Sequence, residues 1–192
     1  SSDSTILVAG DTNSARDIFV HDRQIGKTSL ISVASNGDQG NDGSYVPDIS
    51  ADGRYVAFSS TATNLVGGDT NSTYDVFIRD RQENTTTRVS VGPGGVEGNG
   101  YSSGPAMSAD GRFVAFESGA ANLVAGDTND KDDIFLRDRQ ENTTILVSGG
   151  PGGVGGDGWC YKPDISADGR LVAFQSTSTN LVDGDTNVES DV

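Results

Sequence analysis

An internal repeat is the feature of this sequence that most constrains its fold. The tetrapeptide Gly-Asp-Thr-Asn begins at positions 10, 68, 126 and 184, and the pentapeptide Ser-Ala-Asp-Gly-Arg begins at 50, 108 and 166. Both markers therefore recur at every 58th position. An internal repeat of this length predicts one structural unit copied along the chain, rather than two unrelated domains.

The middle copy shows which secondary structure each unit predicts. Residues 47–50 and 54–59 are short extended segments on either side of an Asp-Gly pair, which is typical of a tight hairpin turn. The segments 54–59 and 75–80 are apolar on both faces, so each is expected to lie between two other sheets. A further extended segment covers 86–91. Four short antiparallel strands with no helical pattern between them are typical of one β-propeller blade.

We therefore predict an all-β chain that forms a single propeller domain over residues 1–192, with about three blades. It divides into a half-blade, two blades and a half-blade, over 1–35, 45–91, 103–149 and 161–192. Three blades cannot close a ring, because propellers have about four to eight. We expect two chains to form a homodimer of six blades, in which each N-terminal half-blade completes the partner's C-terminal half-blade. The alternative is that the sequence is a piece of a longer propeller.

The repeat also resembles that of a known family. Pro-Asp-Ile-Ser-Ala-Asp-Gly-Arg-Tyr-Val-Ala-Phe at 47–58 and Asp-Val-Phe-Ile-Arg-Asp at 75–80 resemble the repeat of TolB-like, WD-repeat-like bacterial β-propellers. The resemblance covers nearly the whole chain, and it implies a secreted or periplasmic propeller that works by binding partners. The second loop of each unit is unusually long for the family, and alanine replaces the family's turn proline at Ala51, Ala109 and Ala167.

The charge of the chain limits its partners. Thirteen basic and 28 acidic residues give a formal net charge of −15. A field of that sign repels phosphate backbones and attracts cations, so nucleic acid is not an expected partner. No apolar run approaches the ~18 residues of a membrane span, so membrane insertion is not expected either.

One acidic motif is a candidate metal site. The pattern Asp-x-Asn-x-x-x-Asp occurs four times, at Asp11, Asn13 and Asp17; at Asp69, Asn71 and Asp75; at Asp127, Asn129 and Asp133; and at Asp185, Asn187 and Asp191. Several oxygen ligands from one short loop suit a hard cation, and calcium fits better than magnesium. In the alternative interpretation, the first two residues close Asx turns and the third carboxylate pairs with a nearby arginine. Repetition does not separate the two, because a structural turn would repeat equally well.

The long loops are expected to share one face of the molecule. In a four-stranded meander the connections alternate between the two ends of the sheet, so the second loop and the loop to the next blade emerge together. Binding residues concentrate on loops held by a rigid scaffold. Four aromatic side chains near the start of the first strand are candidate ligand contacts on this face: Tyr45, Tyr101, Trp159 and Tyr161. The alternative is that they cover the core of the blades.

The sequence favours a non-catalytic binding or scaffold module that presents a loop-rich, acidic face to a protein or a glycan, with calcium as a candidate stabiliser of that face. An active site usually breaks a repeat with residues found once, and those found once here, among them His21 and Cys160, do not form an acid, base and nucleophile set. The alternatives are a propeller-type lyase or glycosidase that uses carboxylates around the central channel, and a spacer within a larger surface protein.

Overall fold

A computed structural model describes residue 8 and residues 11–150 and 155–184. Within these ranges the secondary structure consists of one short 3₁₀ turn, Pro93–Gly95, and twelve strands. The strands are β1 (Phe19–Asp22), β2 (Lys27–Leu30), β3 (Ser44–Ile49), β4 (Tyr55–Ser60), β5 (Asp75–Asp80), β6 (Thr85–Arg88), β7 (Ser102–Met107), β8 (Phe113–Ser118), β9 (Asp133–Asp138), β10 (Thr143–Leu146), β11 (Cys160–Ile165) and β12 (Val172–Ser176). No helix in the described ranges is long and apolar enough to cross a bilayer.

The strands form four antiparallel sheets in chain order. Two sheets are complete, with the orders β3-β4-β5-β6 and β7-β8-β9-β10. Two are two-stranded, β1-β2 before them and β11-β12 after them. A four-stranded meander is the construction of a propeller blade, so the all-β, four-stranded antiparallel expectation is confirmed, whereas ring closure and the number of blades stay predictions.

The core lies between the sheets and not within any one of them. Val56 and Phe58 of β4 pack into one apolar layer with Ile18 and Ile31, which flank the strands of the β1-β2 sheet. Ala57, between them on β4, joins the layer shared with the next complete sheet. All three β4 side chains are 0–1 % exposed. Because successive strand residues point to opposite faces, a strand that is apolar at consecutive positions fits a sheet buried on both sides.

The observed strand bounds differ slightly from the expected ones. The third strand of the middle unit covers Asp75–Asp80, as expected, and the first is longer, Ser44–Ile49. The fourth is shorter, Thr85–Arg88, because its continuation forms only an isolated bridge between Val91 and Glu97. The first strand of each of three sheets also contains an irregularity, between Tyr45 and Asp48 in β3, and at the equivalent places in β7 and β11.

The alanine in the tight turn has a structural reason. Ser50 Oγ donates to Asp52 Oδ1 over 2.6 Å, and Gly53 adopts a φ of 71°, which closes the turn. Ala51 N then donates to Ala109 O in the next sheet over 2.9 Å, and Ala109 N donates to Ala167 O over 3.0 Å. Proline has no backbone N–H, so the family's proline would remove these bonds between sheets.

An ion pair joins two strands at the same end of each complete sheet. Arg54 on the tight turn contacts Asp80 at the end of β5 at 2.6 Å, and Arg112 contacts Asp138 at the same distance. Hydrogen bonds from these arginines lower the pKa of Asp80 and of Asp138 to about 2. Each of these ion pairs therefore links two strands of one sheet and does not bridge neighbouring blades.

Candidate binding face

The long loops emerge at one end of the sheets, which we name the long-loop face. It comprises the β4–β5 loop (61–74), the β8–β9 loop (119–132) and the connections that lead into β3, β7 and β11. The opposite end carries the short β3–β4 and β5–β6 turns and their equivalents, and we name it the tight-turn face. All the predicted site residues within the described ranges lie on or next to the long-loop face.

The asparagine of the acidic motif closes a turn. In the middle copy Asn71 Oδ1 accepts from Thr73 N over 3.1 Å, which is an Asx turn. Its Nδ2 donates to Gly98 O in the loop to the next sheet and to Asp75 Oδ2, each over 3.0 Å. The amide thus ties two loops together, and its oxygen already has a donor.

The other described copies repeat this arrangement. Asn13 Oδ1 accepts from Ala15 N over 2.8 Å, and Asn129 Oδ1 accepts from Lys131 N over 2.9 Å. The corresponding Nδ2 groups donate to Gly40 O and Gly156 O. The turn interpretation therefore accounts for the asparagine in three copies, and the fourth, Asp185, Asn187 and Asp191, lies outside the described residues.

The last carboxylate of the motif is fully buried. Asp17, Asp75 and Asp133 are each 0 % exposed. Each accepts a 2.5 Å hydrogen bond from a serine hydroxyl, which is supplied by Ser32, Ser90 and Ser148, respectively. Burial raises the pKa of all three carboxyl groups above the ordinary value, although these hydrogen bonds oppose the shift.

The middle copy contains an acidic cluster with its own cation. Carboxylate oxygens of Asp69, Asp75 and Glu97 lie within 4.8 Å of one another. Arg88 Nη1 contacts all three, at 3.7 Å from Asp69, at 3.1 Å from Asp75, and in a shorter ion pair with Glu97. Burial, and then the charge of Asp75, raise the pKa of Asp69 to about 6. Among the described residues these are the carboxylates that lie close enough together to hold a metal ion, and the single positive charge of Arg88 already lies among them.

The flanking copies lack this arginine. Leu30 and Leu146 occupy the position of Arg88. In the first copy Gln39 Nε2 donates to Asp11 Oδ1 over 2.9 Å and to Asp17 Oδ2 over 3.1 Å, so a neutral amide bridges the two carboxylates. The motif therefore has the same backbone role in each described copy but a different electrostatic environment.

The predicted aromatic residues do not form one continuous ring of open faces. Tyr45 packs edge to face on Tyr74, with centroids 5.6 Å apart, and the Arg16 guanidinium lies 5.2 Å from the Tyr45 ring. Trp159 is 49 % exposed, and Lys131 Nζ lies 4.1 Å from its ring centroid. Tyr161 is half-buried at the start of β11. Each pair of aromatic and cation joins a loop residue to the next sheet, to Tyr45 on β3 or to Trp159 immediately before β11.

Tyr101 belongs to a group that sequence reasoning missed. Its hydroxyl is hydrogen-bonded to Asp132, and burial followed by that hydrogen bond raises the pKa of Tyr101 above its ordinary value. Glu117 lies close to both residues, accepts from Lys162 N over 3.2 Å, and has a pKa raised mainly by burial. Their positions hold different residues in the other copies. A comparison of the copies at every position would have shown that these three residues are unique, but not that they lie close together.

The residues that could suggest nucleophilic chemistry are engaged elsewhere. Cys160 is buried, its sulfur lies 3.2 Å from Ser176 Oγ, and burial raises the pKa of the thiol. His21 Nδ1 is hydrogen-bonded to Thr28 on the neighbouring strand. The two residues stand on different sheets, so they form no nucleophile and base pair.

Comparisons with known proteins support the fold and no more than the fold. The structure is similar to the tricorn protease, with a TM-score of 0.54, 12 % identity, and coverage of 88 % of this chain and 14 % of that one. It is also similar to a putative TolB from Agrobacterium tumefaciens, with a TM-score of 0.49, 20 % identity, and coverage of 86 % of this chain and 52 % of that one. A third similar structure is the β-propeller domain of the Trilobed protease from Pyrococcus furiosus, with a TM-score of 0.43, 14 % identity, and coverage of 77 % of this chain and 41 % of that one.

No protein-family model matches the chain, and no curated protein matches it either. The chain spans between 14 % and 52 % of the length of the three similar structures. At 12 % identity, the likeness to the tricorn protease shows a shared fold and carries no activity with it. Membership of the TolB-like repeat family stays a prediction from the sequence.

Proposed function

We propose that this chain is a non-catalytic binding module of β-propeller type that receives a protein partner on its long-loop face. The observation that carries the proposal is the row of aromatic and cationic pairs at the sheet junctions on that face, Trp159 with Lys131 and Tyr45 with Arg16. Tryptophan, tyrosine and arginine are the side chains most enriched among residues that dominate the free energy of protein–protein binding. The secreted or periplasmic location implied by the resemblance belongs to the same proposal.

The contacts of these rings favour a protein over a glycan. Stacking on a sugar requires an open aromatic face. Lys131 lies over the Trp159 ring, and Tyr45 is held between Tyr74 and Arg16. The pairs place a partly exposed aromatic ring next to a positive charge on a chain of net charge −15. Such local positive sites in an acidic field suit a peptide that carries an acidic side chain beside an apolar one.

The test is selection of peptides from a displayed random library on the immobilised chain, run beside a glycan array. We expect enriched peptides to lose at least tenfold in affinity with Trp159→Ala. They should be unaffected by Ile25→Ala, which changes a 71 % exposed apolar residue at the opposite, tight-turn end. Failure to enrich any peptide would overturn the proposal. Binding on the glycan array alone would indicate that the long-loop face recognises a glycan. Binding in neither assay would favour the spacer hypothesis.

An enzyme remains the second candidate because Tyr101, Glu117 and Asp132 break the repeat at one place. Glu117 has the raised pKa that a general acid requires, whereas the raised pKa of Tyr101 makes it a poor base at neutral pH. This candidate predicts turnover of a polysaccharide that is abolished by Glu117→Gln, with the fold retained. The non-catalytic proposal predicts no turnover in either protein, so the same assay distinguishes them.

Calcium belongs to the proposal as a stabiliser of the acidic loops. The asparagine oxygens are engaged in turns, so the carboxylates of Asp11, Asp69 and Asp127 are the ligands that remain to be tested. Asp69→Ala combined with Asp127→Ala should lower the melting temperature in calcium and should not lower it in chelator. Equal losses in both buffers would instead identify the loops as structural turns.

A further inference from the structure

Two equivalent junctions join one sheet to the next, and they are filled differently. At the first junction the connection after β2 lies against β6, and at the second the connection after β6 lies against β10. In each, a threonine hydroxyl of the outer strand donates to a carbonyl of the connection, from Thr86 to Val33 O over 2.5 Å and from Thr144 to Val91 O over 2.7 Å. The repeat therefore allows the two junctions to be compared residue by residue.

At the first junction the connection supplies two hydrogen-bond acceptors. Thr86 N, on the outer edge of β6, donates to Ser35 Oγ over 2.9 Å. The neighbouring Arg79 Nη1 donates to Ala34 O over 3.2 Å and to Thr86 Oγ1 over 3.1 Å. Arg79 is 7 % exposed and Thr86 is 4 % exposed. Both buried donors thus find acceptors within the chain, as buried polar groups usually do.

The second junction lacks the first of these acceptors. Pro93 stands at the position of Ser35, and its side chain has no hydroxyl. Thr144 N points away from β9, because Val147 N donates to Ile134 O and such bonds recur at every second position of the pair. Among the described residues Thr144 N has no hydrogen-bond partner. The outer edge of β10 therefore carries an open donor.

The second acceptor is also missing, and this leaves a buried cation without a counter-ion. Arg137 is 8 % exposed and forms no ion pair with any residue in the described part of the chain. Its guanidinium donates to Thr144 Oγ1 over 3.2 Å and to Asn142 Oδ1 over 3.3 Å. It forms no bond to the carbonyl of Gly92, the residue at the position of Ala34. A buried charge is costly unless it is paired.

The two donors line one cavity, which we name the rim groove. It has a volume of about 230 Å³ and lies between β10 and the connection after β6, where Arg137 and Thr144 face Pro93 and the apolar side chain of Val124. A volume of this size admits a side chain. The corresponding cavity at the first junction is lined by Thr86 but not by the equivalent arginine. Only the second junction therefore presents the arginine to a cavity.

We propose that the rim groove binds an acidic side chain of a peptide partner. One carboxylate oxygen accepts from the Arg137 guanidinium and the other accepts from Thr144 N. Because an ionised carboxylate offers two oxygens and donates nothing, it supplies both acceptors that Ser35 and Ala34 supply at the first junction. Hydrogen bonds between a guanidinium and a carboxylate are also about twice as strong as neutral ones.

The surroundings of the rim groove favour a peptide over a free anion. The chain has a net charge of −15, and its field repels a small anion that makes no other contact. Pro93 and Val124 offer apolar surface beside the donors, so apolar residues next to the acidic one contribute to binding. The inference goes beyond the proposed function, because the rim groove contains neither of the aromatic and cationic pairs of the long-loop face.

The experiment is an NMR titration of the chain, labelled with nitrogen-15, with the blocked peptide acetyl-Val-Glu-Val-amide. The uncharged control is acetyl-Val-Gln-Val-amide. We expect a saturable shift of the Thr144 amide resonance, because this N–H gains an acceptor. The Thr86 amide should not shift, because it already donates to Ser35. The glutamine peptide should bind at least tenfold more weakly, since it offers the guanidinium no charge.

Three variants test the groups that form the site. Arg137→Met should weaken binding of the glutamate peptide at least tenfold. Arg79→Met is the matched control, since it removes an equally buried cation from the first junction, and it should leave the affinity within twofold of wild type. Pro93→Ser keeps Arg137 but supplies the hydroxyl that Ser35 supplies, so it should occupy Thr144 N and weaken binding severalfold. Circular dichroism confirms that each variant is folded.

Several results would contradict the inference. They are the absence of a saturable shift, equal binding of the two peptides, and equal effects of the two arginine variants. Acetate that binds as tightly as the glutamate peptide would identify a site for free anions, and a Thr144 shift on concentrating the chain alone would identify a second copy as the occupant. Binding lost in Trp159→Ala but kept in Arg137→Met would overturn the inference and support the proposed function, whereas the reverse pattern supports the rim groove.

Discussion

The first and the middle acidic loops each contain an equivalent pair of buried carboxylates, and the two pairs are stabilised in different ways. In the middle loop the Arg88 guanidinium lies among Asp69, Asp75 and Glu97. In the first loop the position of Arg88 is Leu30, and the neutral amide of Gln39 donates to both Asp11 and Asp17. The repeat therefore keeps the turn and its hydrogen bonds, while residues outside the motif set the charge balance separately in each copy.

The largest expected effect comes from removal of the internal cation. Arg88→Leu leaves Asp69, Asp75 and Glu97 buried without a positive charge, and loss of one partner from a buried ion pair costs about 3–5 kcal/mol. Urea unfolding of wild type and variant measures this free energy. Arg88→Leu with Glu97→Gln reproduces the composition of the first copy and should recover most of the loss. No recovery would mean that Arg88 acts mainly through packing.

Loss of the serine hydroxyl should have the next largest effect. Ser90 Oγ donates to Asp75 and accepts from Val76 N over 3.1 Å, so Ser90→Ala leaves two buried groups unsatisfied, at about 1–3 kcal/mol. Ser148→Ala removes the same contacts around Asp133, where leucine stands at the position of Arg88. The loss in the third copy should therefore exceed the loss in the middle copy. The reverse order, measured by chemical unfolding, contradicts the role assigned to Arg88.

The middle loop should also respond to pH in a specific direction. Burial raises the pKa of Asp69 to about 6 in the folded state, above its ordinary value of 3.8. The folded state then binds this proton more tightly than the unfolded state, so the contribution to stability is present below about pH 4 and is lost as the pH rises through 6. Asp69→Asn should flatten the dependence of the free energy of unfolding between pH 4 and 7.

The ion pairs at the tight-turn face should make stability depend on pH in the opposite direction. The folded-state pKa of Asp80 is about 2, below its ordinary value. Its contribution is present above about pH 4 and is lost as the pH falls through 2. Asp80→Asn should therefore lower the free energy of unfolding above about pH 4, flatten the acid limb of the curve, and leave the slope between pH 5 and 7 as in wild type.

The smallest effect is expected when the middle arrangement is copied into the third loop. Leu146→Arg places a guanidinium where Arg88 stands, close to Asp127 and Asp133, but it also removes a leucine that packs against the core. The opposing contributions predict a net change within about 1 kcal/mol. If calcium stabilises the third loop, the variant should lose most of that calcium dependence, which thermal melts with and without chelator can measure.

Much of the fold follows from local sequence. The turn Ser-Ala-Asp-Gly predicts its hairpin because Gly53 supplies the positive φ and Asp52 caps the turn, as the structure shows. The strand Asp75–Asp80 has the expected bounds because it is apolar at consecutive positions and lies between two sheets. The asparagine turns also follow from local chemistry, because Asn71 Oδ1 needs a donor only two residues away.

The site followed from sequence only in part. Tyr45 and Trp159 were expected on the long-loop face from strand order alone. Their partners Arg16 and Lys131 belong to the preceding repeat unit, and only the packing of one sheet on the next brings them together. The group of Tyr101, Glu117 and Asp132 was missed for the same reason, since its members come from a connection, a strand and a loop.

The sequence by itself determined the repeated unit, its strands, its turns and the place of the long loops, because these depend on interactions between residues close in the chain. The tertiary structure alone decided which charges meet. Arg88 reaches back from the end of β6 to Asp69 and forward to Glu97 in the next connection, and burial at that meeting point sets the pKa of Asp69. Electrostatic energies depend on the distance between charges and on their exposure to solvent. The repeated sequence does not determine either quantity.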